Sequence, residues 1–307
     1  MRCFVTGSTG FIGSYLIRLL LNQDYQVGVL VRPASNLWRI QEVLNRLHII
    51  PGDLAMIDQS APAILKFAPE VVFHLGWYGV TNRHRNNPSQ VSQNLYGSIR
   101  LLEIAHEAGC QCWVGLGSQA EYGRFDGKIA EHFQAQPETI YGTAKLCVGL
   151  LSQKLCEVYG IRFVWFRLLA AYGPKDDPEH MIPYVILSLL RGQEPALTSG
   201  EQQWDYLYVE DAVRAIWKTF TSQTAQGIFN LASGKSLPVS NIVKLIRDLI
   251  NPDLPLGFAK VPYLPNQIMV LEADISRLQH ATGWVPQVPI NEGVRLTIDW
   301  YKKQKFN

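Results

Sequence analysis

A chain of 307 residues is long enough to bury one large core or two interlocked ones. Hydrophobic residues make up 47% and charged residues 18%, and the formal net charge is +2. That balance suits an ordinary globular protein and is too weakly charged to point to a nucleic-acid or membrane partner. The five cysteines are odd in number and at no metal-ligand spacing, so neither a disulfide framework nor an oxidising compartment is expected. Cys110 and Cys112 flank one residue at the start of an apolar run, where at least one is a small core residue. No apolar stretch approaches the ~18–20 residues of a membrane span. Met1 leads directly into a strand-like run with no room for a signal peptide, and the expected location is cytoplasmic.

Residues 3–5 read as a strand, followed by a glycine-rich turn and a helix over 11–21 with a broad apolar face. Further strands are predicted at 27–31, 47–50, 71–75, 112–116 and 162–168, with helices at 91–108 and 139–159. Strands that are apolar throughout and alternate with helices indicate a parallel sheet covered on both faces. With right-handed crossovers this becomes a doubly wound α/β fold. Beyond Pro174 the pattern loosens, with helices predicted at 182–191, 211–219, 239–250 and 290–303. In the connector over 251–265, Pro252, Pro255, Pro262 and Pro265 rule out a long helix. The expected division is a first domain over 1–173, to which 204–232 returns, and a smaller C-terminal α/β domain, mainly 174–307. The two would close a cleft at the carboxyl edge of the sheet, where open α/β sheets bind ligands.

Three stretches carry chemistry. Thr6-Gly7-Ser8-Thr9-Gly10-Phe11-Ile12-Gly13 spans the first strand-to-helix turn. Glycines there let the backbone approach a pyrophosphate, while the helix N-terminus adds free amides and a favourable dipole. The spacing is Gly-x-x-Gly-x-x-Gly, and a turn that needs glycine for its own geometry is the plainer alternative. Tyr141 and Lys145 lie four apart and share a helix face. An ammonium beside a phenol favours phenolate, lowering the Tyr pKa from about 10 toward the range of a usable acid or base. Gly117-Ser118 closes the strand over 112–116, whose outgoing loop enters the same cleft. There the Ser118 hydroxyl can bond the substrate oxygen that Tyr141 protonates, unless it is a plain turn residue.

These motifs come in a recognisable order: 6–13, Gly117-Ser118 through Tyr122-Gly123, 141–145, Arg167 through Tyr172-Gly173-Pro174, and Trp204-Asp205-Tyr206 through Glu210-Asp211. The set resembles the extended short-chain dehydrogenase/reductases, and among them is most similar to the nucleotide-sugar epimerase/dehydratase branch. It covers nearly the whole chain. The resemblance implies a Rossmann cofactor domain and a triad of Ser118, Tyr141 and Lys145, with Lys145 also holding the nicotinamide ribose. Cofactor contacts are implied for Gly7, Thr9, Gly10, Phe11, Ile12 and Gly13, for Asp53 and Leu54 at the adenine, and for Leu75, Gly76, Trp77, Asn94 and Leu169. Substrate contacts are implied for Ser118, Gln119, Ala170, Tyr172 and Trp204. It also implies a homodimer in which the helices over 91–108 and 139–159 pair across a two-fold axis. Leu146, Leu150, Leu151 and Leu155 offer more apolar positions than one buried face requires, unless all of them pack on the sheet.

Three departures refine this. Where NAD-using relatives place an acidic residue after the second strand, this chain has Val31 followed by Arg32, which can pair with a 2′-phosphate, so NADP(H) is favoured over NAD(H). Where 4,6-dehydratases place an acidic pair after the triad hydroxyl, it has Gln119 and Ala120, with Glu121 one residue late, so dehydration is disfavoured. Ala170 and Trp204 replace a frequent Asn and Arg of the substrate half, and Trp204 can stack on a base or line an apolar pocket. His74 is read as a packed core residue. His84, His132 and His180 lack carboxylate or cysteine partners at ligand spacing, and no metal is expected. Arg83-His84-Arg85 is either a solvated loop or an anion site, and Tyr172 and Met181 either edge the substrate pocket or pack. The reading is a reductase or epimerase acting on a nucleotide-activated hexose through a 4-keto group. Its rivals are an NADPH-dependent ketoreductase of a non-sugar molecule and a non-catalytic cofactor-sensing Rossmann protein.

Overall fold

The computed structural model describes residues 1–125, 127–264 and 267–304. The chain opens with β1 (Arg2–Thr6), buried from its second residue on, and turns into α1 (Phe11–Asn22). There follow β2 (Gln26–Val31), β3 (His48–Pro51), α2 (Ala61–Phe67), β4 (Val71–His74), α3 (Tyr96–Glu107) and β5 (Cys112–Ser118). A short β6 (Lys128–Ile129) precedes α4 (Ile140–Tyr159), β7 (Arg162–Leu168) and β8 (Ala170–Tyr172). The remainder comprises α5 (Met181–Leu190), β9 (Gln203–Trp204), β10 (Tyr206–Tyr208), α6 (Val209–Thr221), β11 (Gly227–Leu231), β12 (Leu237–Pro238), α7 (Val239–Ile250), β13 (Val270–Ala273), α8 (Ser276–Thr282) and α9 (Ile290–Lys303).

Seven parallel strands form the central sheet, in the order β11-β7-β5-β4-β1-β2-β3. Alternating side chains explain its two buried faces. Val5, Val29, Phe73, Val114 and Phe166 meet Leu16, Ile17 and Leu20 of α1 and Ile216 and Phe220 of α6. Phe4, Val72, Trp113 and Trp165 point the other way, toward Leu101 and Leu102 of α3 and Val148 of α4. The strand order reverses between β1 and β4, so the crevice beyond their carboxyl ends is where such a sheet takes a ligand. The doubly wound α/β reading is correct.

A third core gathers α5, α7 and α9 around Tyr172 and Tyr208. Small sheets stitch this part to the rest: β10 pairs with β8, and β12, β9, β13 and β6 form a four-stranded ribbon. Buried Asp205 holds their junction, accepting from Ser233 N and Oγ at 2.7 and 2.5 Å and from Gly234 N at 2.9 Å. Within 204–232, α6 packs on the α1 side of the sheet and β11 joins its edge.

Two local departures from the sequence reading have physical causes. The helix predicted over 91–108 begins as a wide π turn, Val91–Leu95, before α3. That turn lets the fully buried amides of Gln90 and Asn94 meet at 3.2 Å. Ala61–Phe67, unassigned in the sequence, is a seven-residue helix with proline near its start, which pre-sets the helical φ. Pro265 of the expected connector lies outside the described residues; 251–264 contains no helix.

Candidate active site

At the end of β1 the glycines of the turn divide into two roles. Gly7 has a positive φ of 74°, and a Cβ there would lie 2.7 Å from Gly76 N; a Cβ on Gly13 would lie 2.1 Å from Gly7 O. Gly7 is demanded by the turn's packing against the end of β4, and Gly13 by the closeness of α1 to the turn itself. Gly10 instead caps α1 with no side-chain hydrogen bond, leaving first-turn amides free at the switch point. The Ser8 hydroxyl is buried with no partner in the protein, an orphan that an anion held by this turn would satisfy. A bare-capped helix and an orphan hydroxyl fit a pyrophosphate. Below them Gly76 N donates to Thr6 Oγ1 at 2.9 Å, which meets His74 Nδ1 at 2.9 Å, while His74 Nε2 meets Ser98 Oγ at 2.9 Å. His74 is a core residue as expected, but a hydrogen-bonded one, and burial pushes its imidazole down to about 3 so that it stays neutral.

The triad assembles where β5 ends against the start of α4. Ser118 caps a 3₁₀ turn, Gln119–Glu121, its Oγ accepting from Ala120 N at 3.2 Å. Gly142 allows α4 to descend onto that turn, since a Cβ there would lie 2.3 Å from Ala120 O. Tyr141 is thereby brought toward Ser118, whose hydroxyl favours the ionised phenol. Lys145 is 4% exposed; its Nζ donates to Leu116 O at 2.6 Å and lies 3.9 Å from the Trp77 ring centroid. Trp77 also meets Tyr141 edge-on, ring centres 6.1 Å apart.

The electrostatics correct one expectation. Burial raises the Tyr141 phenol above its ordinary value, against the pull of the Ser118 hydroxyl and the Arg85 charge. Burial likewise lowers the Lys145 ammonium to about 7, opposed by Glu121. Desolvation therefore outweighs the drop in Tyr141 expected from Lys145, and the phenol is held in its protonated form.

Glu121 is turned away from the cleft. It is 1% exposed, with Oε1 accepting from Ser118 N at 2.8 Å and Oε2 from Arg167 Nε at 2.9 Å. The Trp165 indole donates to both oxygens at 3.1 and 3.2 Å. Burial pushes this carboxyl up and the Arg167 guanidinium pulls it back. Gln119 stays beside Ser118, its Oε1 buried without a partner.

Most other predicted contacts line the carboxyl edge. Thr9, Phe11 and Ile12 are part-exposed on the first turn, Leu75, Gly76 and Trp77 follow β4, and Asp53 follows β3 while capping its own turn through Ala55 N at 3.0 Å. Leu54 is 9% exposed beside α3, and Leu169, at 9%, belongs to the sheet core. Arg32 is exposed at the end of β2. Ala170 opens β8, and Trp204 bridges the sheet core and the C-terminal core with its Nε1 buried and unpartnered.

Two of the predicted contact residues are buried. Asn94 is fully buried, with its side chain bonded to Tyr78 N at 2.7 Å, Tyr78 O at 3.1 Å and Gln90 O at 3.1 Å, so it staples the loop after β4. Tyr172 is 1% exposed and packs inside the C-terminal core. Met181, left open by the sequence, lines a cavity of about 240 Å³ with Tyr184, Leu197, Val239, Val243 and Phe258. His180 does have a carboxylate partner, Asp176, with Nδ1 to Oδ1 at 2.9 Å; this bond raises the imidazole. Among the described residues no His, Cys, Asp or Glu cluster could hold a metal, and no helix is long and apolar enough to cross a membrane.

A parallel sheet with a glycine turn at its switch point and a serine, tyrosine and lysine at the adjoining strand end defines a dinucleotide-dependent class of fold and site. The chain belongs to the NAD dependent epimerase/dehydratase family, whose model matches residues 3–232. It is 26% identical to an Escherichia coli dTDP-glucose 4,6-dehydratase, over 99% of this chain and 94% of that one. The UDP-N-acetylglucosamine 4-epimerase of Methanobrevibacter ruminantium superposes with a TM-score of 0.90 at 26% identity, over 98% of each chain. A Thermus thermophilus UDP-glucose 4-epimerase solved in complex with NAD has a TM-score of 0.88 at 23% identity, over 99% of each chain.

Proposed function

We propose that this protein interconverts or reduces a nucleotide-activated hexose through a 4-keto group. One observation carries the choice over dehydration: beside Ser118 and Tyr141 the positions that would serve elimination hold Gln119 and Ala120, and the nearby carboxylate, Glu121, is locked onto Arg167. A bound nicotinamide dinucleotide supplies or accepts the hydride. The first turn would hold its pyrophosphate, and Lys145 its ribose. Ser118 orients the sugar oxygen by a hydrogen bond, and Tyr141 delivers or removes the matching proton. Trp204, with its unpartnered indole N–H, stands where the two parts meet and lines the substrate side of the cleft. The experiment is to supply the purified protein with NDP-hexose alone, and with NDP-4-keto-6-deoxyhexose plus reduced cofactor, and follow both by NMR. A C4 epimer or a reduced sugar supports the reading; a 4-keto-6-deoxy product from the hexose alone overturns it.

Cofactor preference follows from Val31 and Arg32, which present a cation and no carboxylate to the ribose end. The relatives' family description and the Thermus complex name NAD. A charge-assisted bond from Arg32 to a 2′-phosphate is typically worth ~1.5–3 kcal/mol, roughly ten- to a hundredfold in favour of NADP(H). Titration of both cofactors should show this gap, Arg32→Ala should erase most of it, and Val31→Asp should reverse it. Equal or tighter NAD(H) binding makes Arg32 a surface charge and favours a self-recycling epimerase.

The protein is further proposed to be a homodimer. Leu150, Leu151 and Val158 on α4 are 53%, 46% and 69% exposed, and Tyr96 on α3 is 60% exposed. Sedimentation at micromolar concentration should give twice the chain mass, and a monomer counts against pairing through these helices.

A further inference from the structure

The loop between β4 and the π turn is built around the triad, and its most unusual member is Arg85. The Arg85 guanidinium carbon lies 5.4 Å from the Tyr141 ring centre, within range of a cation–π contact. Its carbonyl accepts from Tyr141 N at 2.8 Å, and Asn86 Oδ1 accepts from Ile140 N at 3.3 Å. Loop and helix are thus joined at the residue that carries the phenol. Arg85 Nε is buried with no hydrogen-bond partner, a cost that a purely structural arginine would avoid. The loop cannot easily drift, because buried Gln90 donates to Gly79 O at 2.6 Å and His84 O at 3.1 Å and accepts from Trp77 Nε1 at 2.8 Å. We propose that Arg85 is a positioning residue, a second cation that holds Tyr141 and favours its ionised form alongside Lys145. The proposal rests on Tyr141 being the acid/base.

The groups bearing on the phenol come from the neighbouring elements: Ser118 at the end of β5, Glu121 in the following turn and Arg85 from the loop, with Lys145 one turn further along α4. Glu121 opposes ionisation. Lys145 is packed between a carbonyl and an indole, and burial disfavours its charged form. A guanidinium keeps its charge across the working pH range, so Arg85 supplies a positive charge that burial does not remove. This gives the Arg-His-Arg knot a third role, neither solvated loop nor free anion site.

The test is an ultraviolet difference titration of the phenolate band, each protein measured against its Tyr141→Phe counterpart. Arg85→Met should raise the Tyr141 midpoint by about one pH unit, a tenfold change in proton affinity, or move it out of reach. Arg85→Lys, which restores the charge, should return it near the wild-type value. Because the loop is tied through the Arg85 carbonyl, both variants should keep the wild-type near-ultraviolet circular dichroism. Identical titrations in wild type and Arg85→Met, including no titration in either, overturn the proposal, as does a Lys variant that behaves like Met. Failure of the acid/base reading has its own signature, full turnover in Tyr141→Phe.

Discussion

Tyr141→Phe should lower turnover by about 10²–10⁴-fold while leaving nicotinamide nucleotide binding nearly intact. The substitution removes one oxygen from a side chain that is 7% exposed and otherwise held by its ring: edge-on to Trp77 and under the Arg85 guanidinium. Packing survives, so the effect reads the proton. The loss should fall on the chemical step, with the substrate KM changed little. Lys145→Ala should behave differently, weakening the cofactor as well, because it removes the proposed ribose contact. A Phe variant with unchanged turnover would sink the triad assignment.

Glu121→Ala should cost about 3–5 kcal/mol of stability, read as a lower urea midpoint, because it strands the buried Arg167 charge. The pair is inaccessible, with side chains 5% and 1% exposed, and the carboxylate also takes the Ser118 and Trp165 N–H groups. Glu121→Gln should cost less, since its amide oxygen still accepts from Ser118 N. Glu121→Leu combined with Arg167→Leu should recover part of the loss by removing both charges together. An Ala variant with the parent midpoint would show that the pair contributes nothing.

What the sequence disclosed and what it hid divide along the range of the interactions. Runs such as Val27 to Val31 announce their strand because both faces are buried, and Tyr141 and Lys145 announce a shared helix face through spacing alone. α7 and α9 match their predicted bounds because their apolar stripes are strong. The Glu121–Arg167 pair joins residues 46 apart across two strands and has no local signature. The same holds for Arg85, whose partner lies on a helix more than fifty positions away, and for the burial of Tyr172 under α9. The bonds that tie Asn94 to its own loop were equally hidden, because a motif position does not reveal what the amide faces. His180 was a readable miss: Asp176 lies four residues before it, a spacing that brings a side-chain pair together.

The place of β11 in the sheet has a consequence for biosynthesis. β11 covers the flank of β7, yet residues 169–226 lie between them in the chain. A ribosome that has released everything through β7 has therefore made six of the seven strands, and the sheet still ends in an open edge. That edge carries Phe163, Trp165 and Phe166, with main-chain groups ready to pair with any extended segment nearby. Until Leu231 emerges, the nascent protein depends on slow synthesis, chaperones or dilution to avoid pairing with a copy of itself. A fragment cut after Gly173 would retain the nucleotide-binding turn and all three triad residues, and would keep that exposed strand permanently.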